Sequence, residues 1–141
     1  MHRKSRLLFF FTVGVVVLTV SCSPADTKLQ QYKVQGEQLY VKHCSNCHQK
    51  NGKGLGLVYP PVDQSDFMEK NFEQVLCLMR NGKECEIVVN GKSYNQPMPG
   101  IPQLTDLEIA EIATYLYNAN SFKRGLISVQ DVTPILEACR Q

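Results

Sequence analysis

The stretch that decides the fold of this chain is Cys44-Ser45-Asn46-Cys47-His48, a Cys-x-x-Cys-His run. In an exported protein this run is typical of covalent haem attachment, in which the two thiols form thioethers and the following imidazole ligates the iron. In the cytosol the same residues would favour a zinc site or a redox-active dithiol. The compartment therefore decides among these three chemistries.

The N-terminus has the pattern of an export signal. A basic segment, residues 2–6, precedes an apolar run over 7–20, which is too short for a membrane-spanning helix. The run ends in Leu18-Thr19-Val20-Ser21-Cys22, which resembles a bacterial lipobox. We therefore predict a lipoprotein signal peptide over 1–21 and acylation of Cys22, which would anchor the protein on the periplasmic or extracytoplasmic side of a membrane. The alternative is an ordinary secretory signal.

The length and charge that remain after the signal limit the possible functions. The 141-residue chain loses 21 residues with the signal, and the rest suffices for one small domain with a single core. All thirteen acidic residues but only twelve of the fifteen basic ones lie in this part, so its formal charge is about −1. Without a basic stripe, we expect no nucleic acid partner.

The spacing of apolar residues predicts mostly helices. Residues 22–31 are polar and lack periodicity, as expected of a tether, whereas residues 29–43 have near-helical spacing that leads into Cys44. A glycine- and proline-rich segment follows His48 and can wrap closely against a flat ligand. Further helices are predicted over 66–69, 72–80, 105–118 and 128–139.

One hairpin interrupts this helical pattern. β-branched residues precede Asn90-Gly91, and this dipeptide favours a type I′ turn, so residues 87–94 are predicted to form a two-stranded ribbon. Three prolines and a glycine over 95–102 predict a loop without regular structure.

A haem held by His48 needs a second axial ligand, and the candidates are few. His43 lies five residues before His48 on the same segment, so it cannot reach the opposite face. Met79 lies on the apolar stripe of a predicted helix, and Met68 lies in a turn only twenty residues after His48. Met98 lies between two prolines that stiffen a loop, and we predict it as the sixth ligand. A thioether opposite an imidazole favours the reduced iron.

Together these motifs resemble those of the mono-haem class I cytochromes c, from about residue 32 to 120. The segments that match are Gly36-Glu37-Gln38-Leu39-Tyr40, Cys44-Ser45-Asn46-Cys47-His48, Gly52-Lys53-Gly54, Tyr59-Pro60-Pro61-Val62, Met98-Pro99-Gly100 and residues 104–118. The resemblance implies an all-α fold of about four to five helices around one covalently bound haem c, with the short hairpin before the methionine loop. Residues 121–141 would form a C-terminal helical extension.

The resemblance also implies contacts and partners. Gly36 and Tyr40 would pack against Tyr115 or Leu116. A prolyl carbonyl would accept a hydrogen bond from His48 Nδ1; Pro61 or Pro60 matches that place, and we assign the role to Pro61. Redox proteins would be the donor and acceptor of a monomer or of a subunit in a complex. The segment over 89–94 looks like that of bacterial respiratory and reductase-associated cytochromes, although Phe122 stands where these often have Trp-Gly.

Three cysteines remain after the haem and lipid cysteines are set aside. In an oxidising compartment, Cys77, Cys85 and Cys139 predict one disulfide with one thiol left over. Either Cys77–Cys85 or Cys77–Cys139 would satisfy this expectation, and any of the three could instead be a small buried apolar residue.

The function that these residues predict is outer-sphere electron transfer with both axial positions filled. Electrons would enter near Cys47 and residues 96–101, by analogy with the family. An apolar shell would raise the potential; we assign it to Leu57, Val62, Phe67, Leu76, Ile101 and Leu104. One alternative is a haem enzyme or a gas or redox sensor in which Met98 dissociates, but no distal acid–base residue supports it. A zinc or dithiol domain would need further ligands.

Overall fold

The computed structural model describes residues 23–119 and 122–139, so the predicted signal peptide and Cys22 lie outside the described residues. The described residues form six helices and four short strands. In chain order these are α1 (Pro24–His43), α2 (Ser45–His48), α3 (Asp66–Lys70), α4 (Phe72–Asn81), β1 (Gly82–Lys83), β2 (Ile87–Val89), β3 (Lys92–Tyr94), β4 (Met98–Pro99), α5 (Asp106–Ala119) and α6 (Val129–Ala138). None of these helices combines the length and apolar character needed to cross a membrane.

This architecture confirms the predicted mostly helical fold with a small hairpin. The helix count exceeds the predicted four to five because α2 is a separate single turn at the Cys44 motif. One apolar core runs through the domain, and α5 supplies much of it. Its fully buried residues include Ile109, Ala110, Ile112 and Ala113.

Helix α1 begins earlier than the sequence predicts. Residues 24–28, for which the sequence predicts no helix, already belong to it, and all five are exposed. Pro24 at the first helical position and Asp26 in the first turn both favour a helix start. The prediction was wrong because it relied on apolar periodicity, which an unpacked helix does not need to show.

The crossing of α1 and α5 confirms the predicted packing of Gly36. An added Cβ at Gly36 would overlap the backbone carbonyl of Glu111 and lie 2.8 Å from Tyr115 Cβ. One turn later, the rings of Tyr40 and Tyr115 lie 5.5 Å apart. Only glycine at position 36 lets the two backbones approach this closely.

The hairpin of β2 and β3 has the predicted turn. Val89 pairs with Lys92, and both Asn90 and Gly91 have positive φ angles, as a type I′ turn requires. The predicted loop over 95–102 is partly wrong, because Met98 pairs with Lys83 in a second two-stranded ribbon of β1 and β4. A ribbon of two residues per strand has no side-chain pattern from which it could be predicted.

The C-terminal helix is fixed to the domain by a disulfide and by core packing. Cys77 in α4 bonds to Cys139, which resolves the open choice of pair, and Cys85 is free and exposed. Val132 and Leu136 of α6 are fully buried. Phe122 packs against Tyr117, with ring centroids 5.4 Å apart.

Candidate haem site

The end of α1 and the single turn of α2 place the motif residues close together. The Cys44 backbone N–H donates to the Tyr40 carbonyl at 2.8 Å and so ends α1. The Cys44 carbonyl in turn accepts bonds from the N–H groups of Cys47 and His48, at 3.2 and 3.0 Å. This tight turn places the two thiols and the imidazole side by side, with Cys44 on the inner and Cys47 on the outer of two adjoining cavities and His48 on both.

The imidazole of His48 is oriented by one backbone bond. Its Nδ1 lies 2.9 Å from the carbonyl oxygen of Pro60. Because a carbonyl can only accept, Nδ1 carries the proton and Nε2 keeps its lone pair for a metal. Burial lowers the pKa of His48, although the bond to Pro60 acts in the opposite direction, so the neutral, ligating form is favoured.

This bond corrects the assignment of Pro61. The segment between the motif and Pro60 folds back on itself, with the N–H of Leu55 donating to the Tyr59 carbonyl at 3.0 Å. The Gly54 N–H donates to the His48 carbonyl at 3.0 Å, and a Cβ on Gly54 would overlap Tyr59 and Pro60. This close approach presents the carbonyl of Pro60, rather than that of Pro61, to the imidazole.

Two adjoining cavities lie beside the motif and share a wall. Cys44 lines the inner cavity, and Cys47 lines the outer one. The residues that line both are His48, Pro60, Leu78, Ile87 and Met98.

Three methionines lie at this site, and Met98 differs from the other two in position. Met68, Met79 and Met98 all line the inner cavity, but of the three only Met98 also lines the outer one. Met68 and Met79 are buried at 4% and 6% exposure and belong to the apolar core. Met98 is only half-buried, and β4 holds its backbone against Lys83. The methionine that shares both cavities with His48 is therefore the predicted one.

The lining of the inner cavity also contains residues that sequence reasoning missed. Leu78, Ile87 and Val89 line the inner cavity. The alternation in β2 could have indicated two of them, since Ile87 and Val89 face inward while Val88 is 54% exposed.

The predicted apolar shell is only partly correct. Val62 and Phe67 line the inner cavity, as predicted. Leu76 and Leu104 are buried in the core without lining either cavity. Ile101 is partly buried against that core, and Leu57 is 68% exposed. Leu57 lies in the tight turn after Gly56, which directs it away from the core.

The state of the thiols bears on the dithiol alternative. Burial, followed by the proximity of Cys47, raises the pKa of the Cys44 thiol to about 11. Redox-active Cys-x-x-Cys pairs depend on a lowered pKa, because the thiolate is the nucleophile. The two thiols are free rather than joined to each other. Within residues 23–119 and 122–139, no three or more His, Cys, Asp or Glu side chains are grouped to hold a metal ion.

These residues fit a haem attached to the motif. The apolar inner cavity suits a macrocycle, Cys44 lies on its wall and Cys47 on that of the adjoining outer cavity, and the imidazole keeps a free nitrogen. A thioether from Met98 lines the same space. The set therefore supplies two covalent attachment points and two axial donors, one of nitrogen and one of sulfur.

Comparisons with known proteins agree with this site. Residues 33–116 match the family described as cytochrome c oxidase, cbb3-type, subunit III. The chain is 31% identical over 91 residues to cytochrome c-552 of Thermus thermophilus, covering 62% of this chain and 69% of that protein. Against the cytochrome c-552 of one particular strain of the same species the identity is also 31%, and the match covers 61% of that protein. The chain therefore belongs to the mono-haem class I cytochromes c, electron carriers with a covalently bound haem c.

Proposed function

We propose that this protein is a membrane-tethered cytochrome that carries single electrons between respiratory or reductase partners. The observation that carries the proposal is the orientation of His48, whose Nδ1 is committed to Pro60 while the ring lines both cavities together with Met98. We assign covalent attachment to Cys44 and Cys47 and axial ligation to His48 and Met98. It is an electron carrier and not an enzyme.

The bound haem iron would supply one-electron chemistry, cycling between its ferrous and ferric states. The residues around it would keep its surroundings constant. Pro60 fixes the imidazole, and the pairing of Met98 with Lys83 fixes the thioether strand, so little rearrangement accompanies transfer. The apolar inner cavity disfavours the more highly charged state, which raises the potential.

We propose that partners exchange electrons at the outer cavity. Cys47 lines this cavity, and the exposed residues Gln96, Pro97 and Pro99 form part of its rim. A redox protein that docks there would lie beside the covalent attachment point. The extracytoplasmic location that is usual for cytochrome c domains would make such partners membrane complexes or other exported proteins.

We propose anchoring through a lipid on Cys22. The lipobox-like sequence supports it, as does the exposure of α1 over residues 24–28, which leaves this end free of the domain surface. Mass spectrometry of the mature N-terminus would test this: a diacylated Cys22 is expected, whereas an unmodified N-terminus at another residue would refute the anchor. A soluble cytochrome would leave the electron-transfer proposal intact.

Optical spectra of the protein purified after export test the cofactor and its attachment. We expect a c-type α-band in the reduced form, and haem that stays with the chain after denaturation. Cys44→Ala combined with Cys47→Ala should abolish covalent attachment. Exposed Cys85→Ala is the matched control and should leave it unchanged. Haem that denaturation releases from the unaltered chain would refute the assignment.

Replacement of methionines tests the axial ligand. Met98→Ala should remove the thioether–iron absorption band of the oxidised form, lower the potential and allow the reduced iron to bind carbon monoxide. Met68→Leu and Met79→Leu, at the two other methionines of the inner cavity, should retain the band. If Met98→Ala keeps the band and one of the leucine variants loses it, Met98 is not the ligand.

A further inference from the structure

Helix α4 connects the haem cavity with the C-terminal helix. Val75, Leu78 and Met79 line the inner cavity from this helix. Cys77, on the same helix, bonds to Cys139 after α6. A constraint applied at Cys77 therefore acts on a helix that forms part of the haem cavity wall.

The end of α4 also holds the strand that contains Met98. Directly after the helix, Gly82 pairs with Pro99 and Lys83 with Met98. The Ile101 N–H donates to the Met79 carbonyl at 3.0 Å, beyond the other end of the same strand. The Met98 strand is thus bonded to the last turn of α4 and to the two residues that follow it.

The second half of α4 is tied to the C-terminal end of α6 by two bonds. One is the Cys77–Cys139 disulfide, and the other is the hydrogen bond from Asn81 Nδ2 to the Cys139 carbonyl, at 3.1 Å. Asn81 directly precedes β1, and only Gly82 separates it from Lys83, the residue that pairs with Met98. The short segment from Asn81 to Lys83 therefore bonds to Cys139 at one end and to the Met98 strand at the other.

We propose that the Cys77–Cys139 disulfide, acting through Asn81, positions Met98 for ligation, and that reduction of this disulfide releases Met98 from the iron. This rests on the proposed function, in which Met98 is the sixth ligand. Two residue pairs in β1 and β4 are few bonds, so the strand depends on what holds its partner. A ligating side chain whose backbone is already held in place loses less conformational entropy when it binds the metal. Breaking the Cys77–Cys139 disulfide would remove this advantage from Met98.

The rest of α6 would stay in place after reduction. Thr133 Oγ1 donates to Asp106 at 2.7 Å, and Asp106 accepts a second bond from the Arg80 guanidinium at 2.7 Å. Val132 and Leu136 are fully buried against the core. The change would therefore be confined to the end of α6 at Cys139 and the end of α4 at Asn81.

The chemical step is a thiol–disulfide exchange with an exported dithiol protein. The partner dithiol supplies two electrons and two protons, the Cys77–Cys139 bond breaks to give two thiols, and the partner leaves as a disulfide. Met98 would then no longer hold the iron, which would be open to a small diatomic ligand. Reoxidation would restore the electron carrier.

Carbon monoxide binding to the full-length, haem-loaded protein tests the proposal. Ascorbate reduces the iron and leaves the disulfide intact, and a phosphine added to a second sample cleaves the disulfide as well. Both samples carry Cys85→Ser to prevent exchange, and mass after alkylation verifies the thiols. We expect carbon monoxide to bind at least tenfold faster after cleavage and to return to the first rate on reoxidation. An unchanged rate with verified thiols would overturn the proposal.

Variants separate positioning from general destabilisation. Asn81→Ala, which keeps the disulfide, should accelerate binding severalfold. Ser128→Ala removes the capping box at the other end of α6 and should leave the rate unchanged. An equal acceleration in Ser128→Ala would show that any loosening of α6 has this effect, and it would refute the specific tie.

Met98→Ala distinguishes the two proposals. If Met98→Ala does not accelerate binding, the ligand assignment itself fails. If it accelerates binding while disulfide cleavage does not, only the positioning role fails.

Discussion

The substitution Gly36→Ala tests the helix crossing on which the domain is built. Two opposing effects decide its outcome. Alanine is favoured over glycine inside a helix by about 1 kcal/mol. Against this, the new Cβ would overlap the carbonyl of Glu111 and approach Tyr115 Cβ to 2.8 Å. Neither helix backbone can rotate away, so α1 and α5 must separate.

The steric cost is expected to exceed the gain in helix propensity. Overpacking costs about 1–3 kcal/mol, and the upper end applies here because the obstacle is backbone. Separation by about 1 Å also forfeits up to about half of the local dispersion energy, including that between Tyr40 and Tyr115. We therefore expect the free energy of unfolding to fall by about 2 kcal/mol.

Denaturant unfolding of the haem-loaded protein, followed by far-UV circular dichroism, measures this change. The matched control is exposed Gln38 on the same helix, where Gln38→Gly and Gln38→Ala isolate the propensity term. Alanine should be the more stable of that pair by about 1 kcal/mol. If Gly36→Ala is as stable as the wild type while the control pair behaves normally, the two backbones do not meet at Gly36.

Two further predictions concern hydrogen bonds that involve none of the proposed haem ligands. Tyr117→Phe removes the buried bond to the Met68 carbonyl, 2.7 Å long, and should lower the free energy of unfolding by about 1–2 kcal/mol; a loss below a few tenths would mean that water replaces the hydroxyl. Hydrogen bonds from the Thr105 backbone N–H and hydroxyl lower the pKa of Glu108 in the folded protein. The carboxylate therefore stabilises the fold fully above the pKa of the unfolded state, about 4.3. This contribution is lost as the pH falls through the lower pKa of the folded state. The stability difference between Glu108→Gln and wild type should therefore shrink with acidification in denaturant titrations, and a constant difference would contradict this role.

Local chemistry explains why one side of the site could be predicted from the sequence. The motif residues are consecutive, so a single turn necessarily brings them together, and Met98 stands out by its flanking prolines. The choice between Pro60 and Pro61 could not be made in the same way. Which of two neighbouring carbonyls faces His48 depends on how the preceding glycine loop closes, and both prolines have similar local preferences.

Contacts between distant parts of the chain differ in how clearly the pattern of side chains predicts them. The inward positions of Ile87 and Val89 follow from strand alternation and were available to prediction. The pairing of Met98 with Lys83 could not be predicted, because it joins backbone groups and no pattern of side chains accompanies it. The early start of α1 was missed because helix propensity and capping, rather than an apolar stripe, favour it there.

The exposed first turns of α1 link whatever precedes Ser23 rigidly to the Cys44 motif. A helix advances about 1.5 Å and turns about 100° per residue, so the 20 residues from Pro24 to His43 set a distance of about 30 Å and a fixed rotational phase. Inserting one residue among the exposed turns would rotate the domain about the axis of α1 by roughly a quarter-turn relative to what precedes the helix, whereas inserting seven would nearly restore its orientation. Each residue in this helical segment would therefore change the direction in which the haem faces as well as its distance from what precedes Ser23.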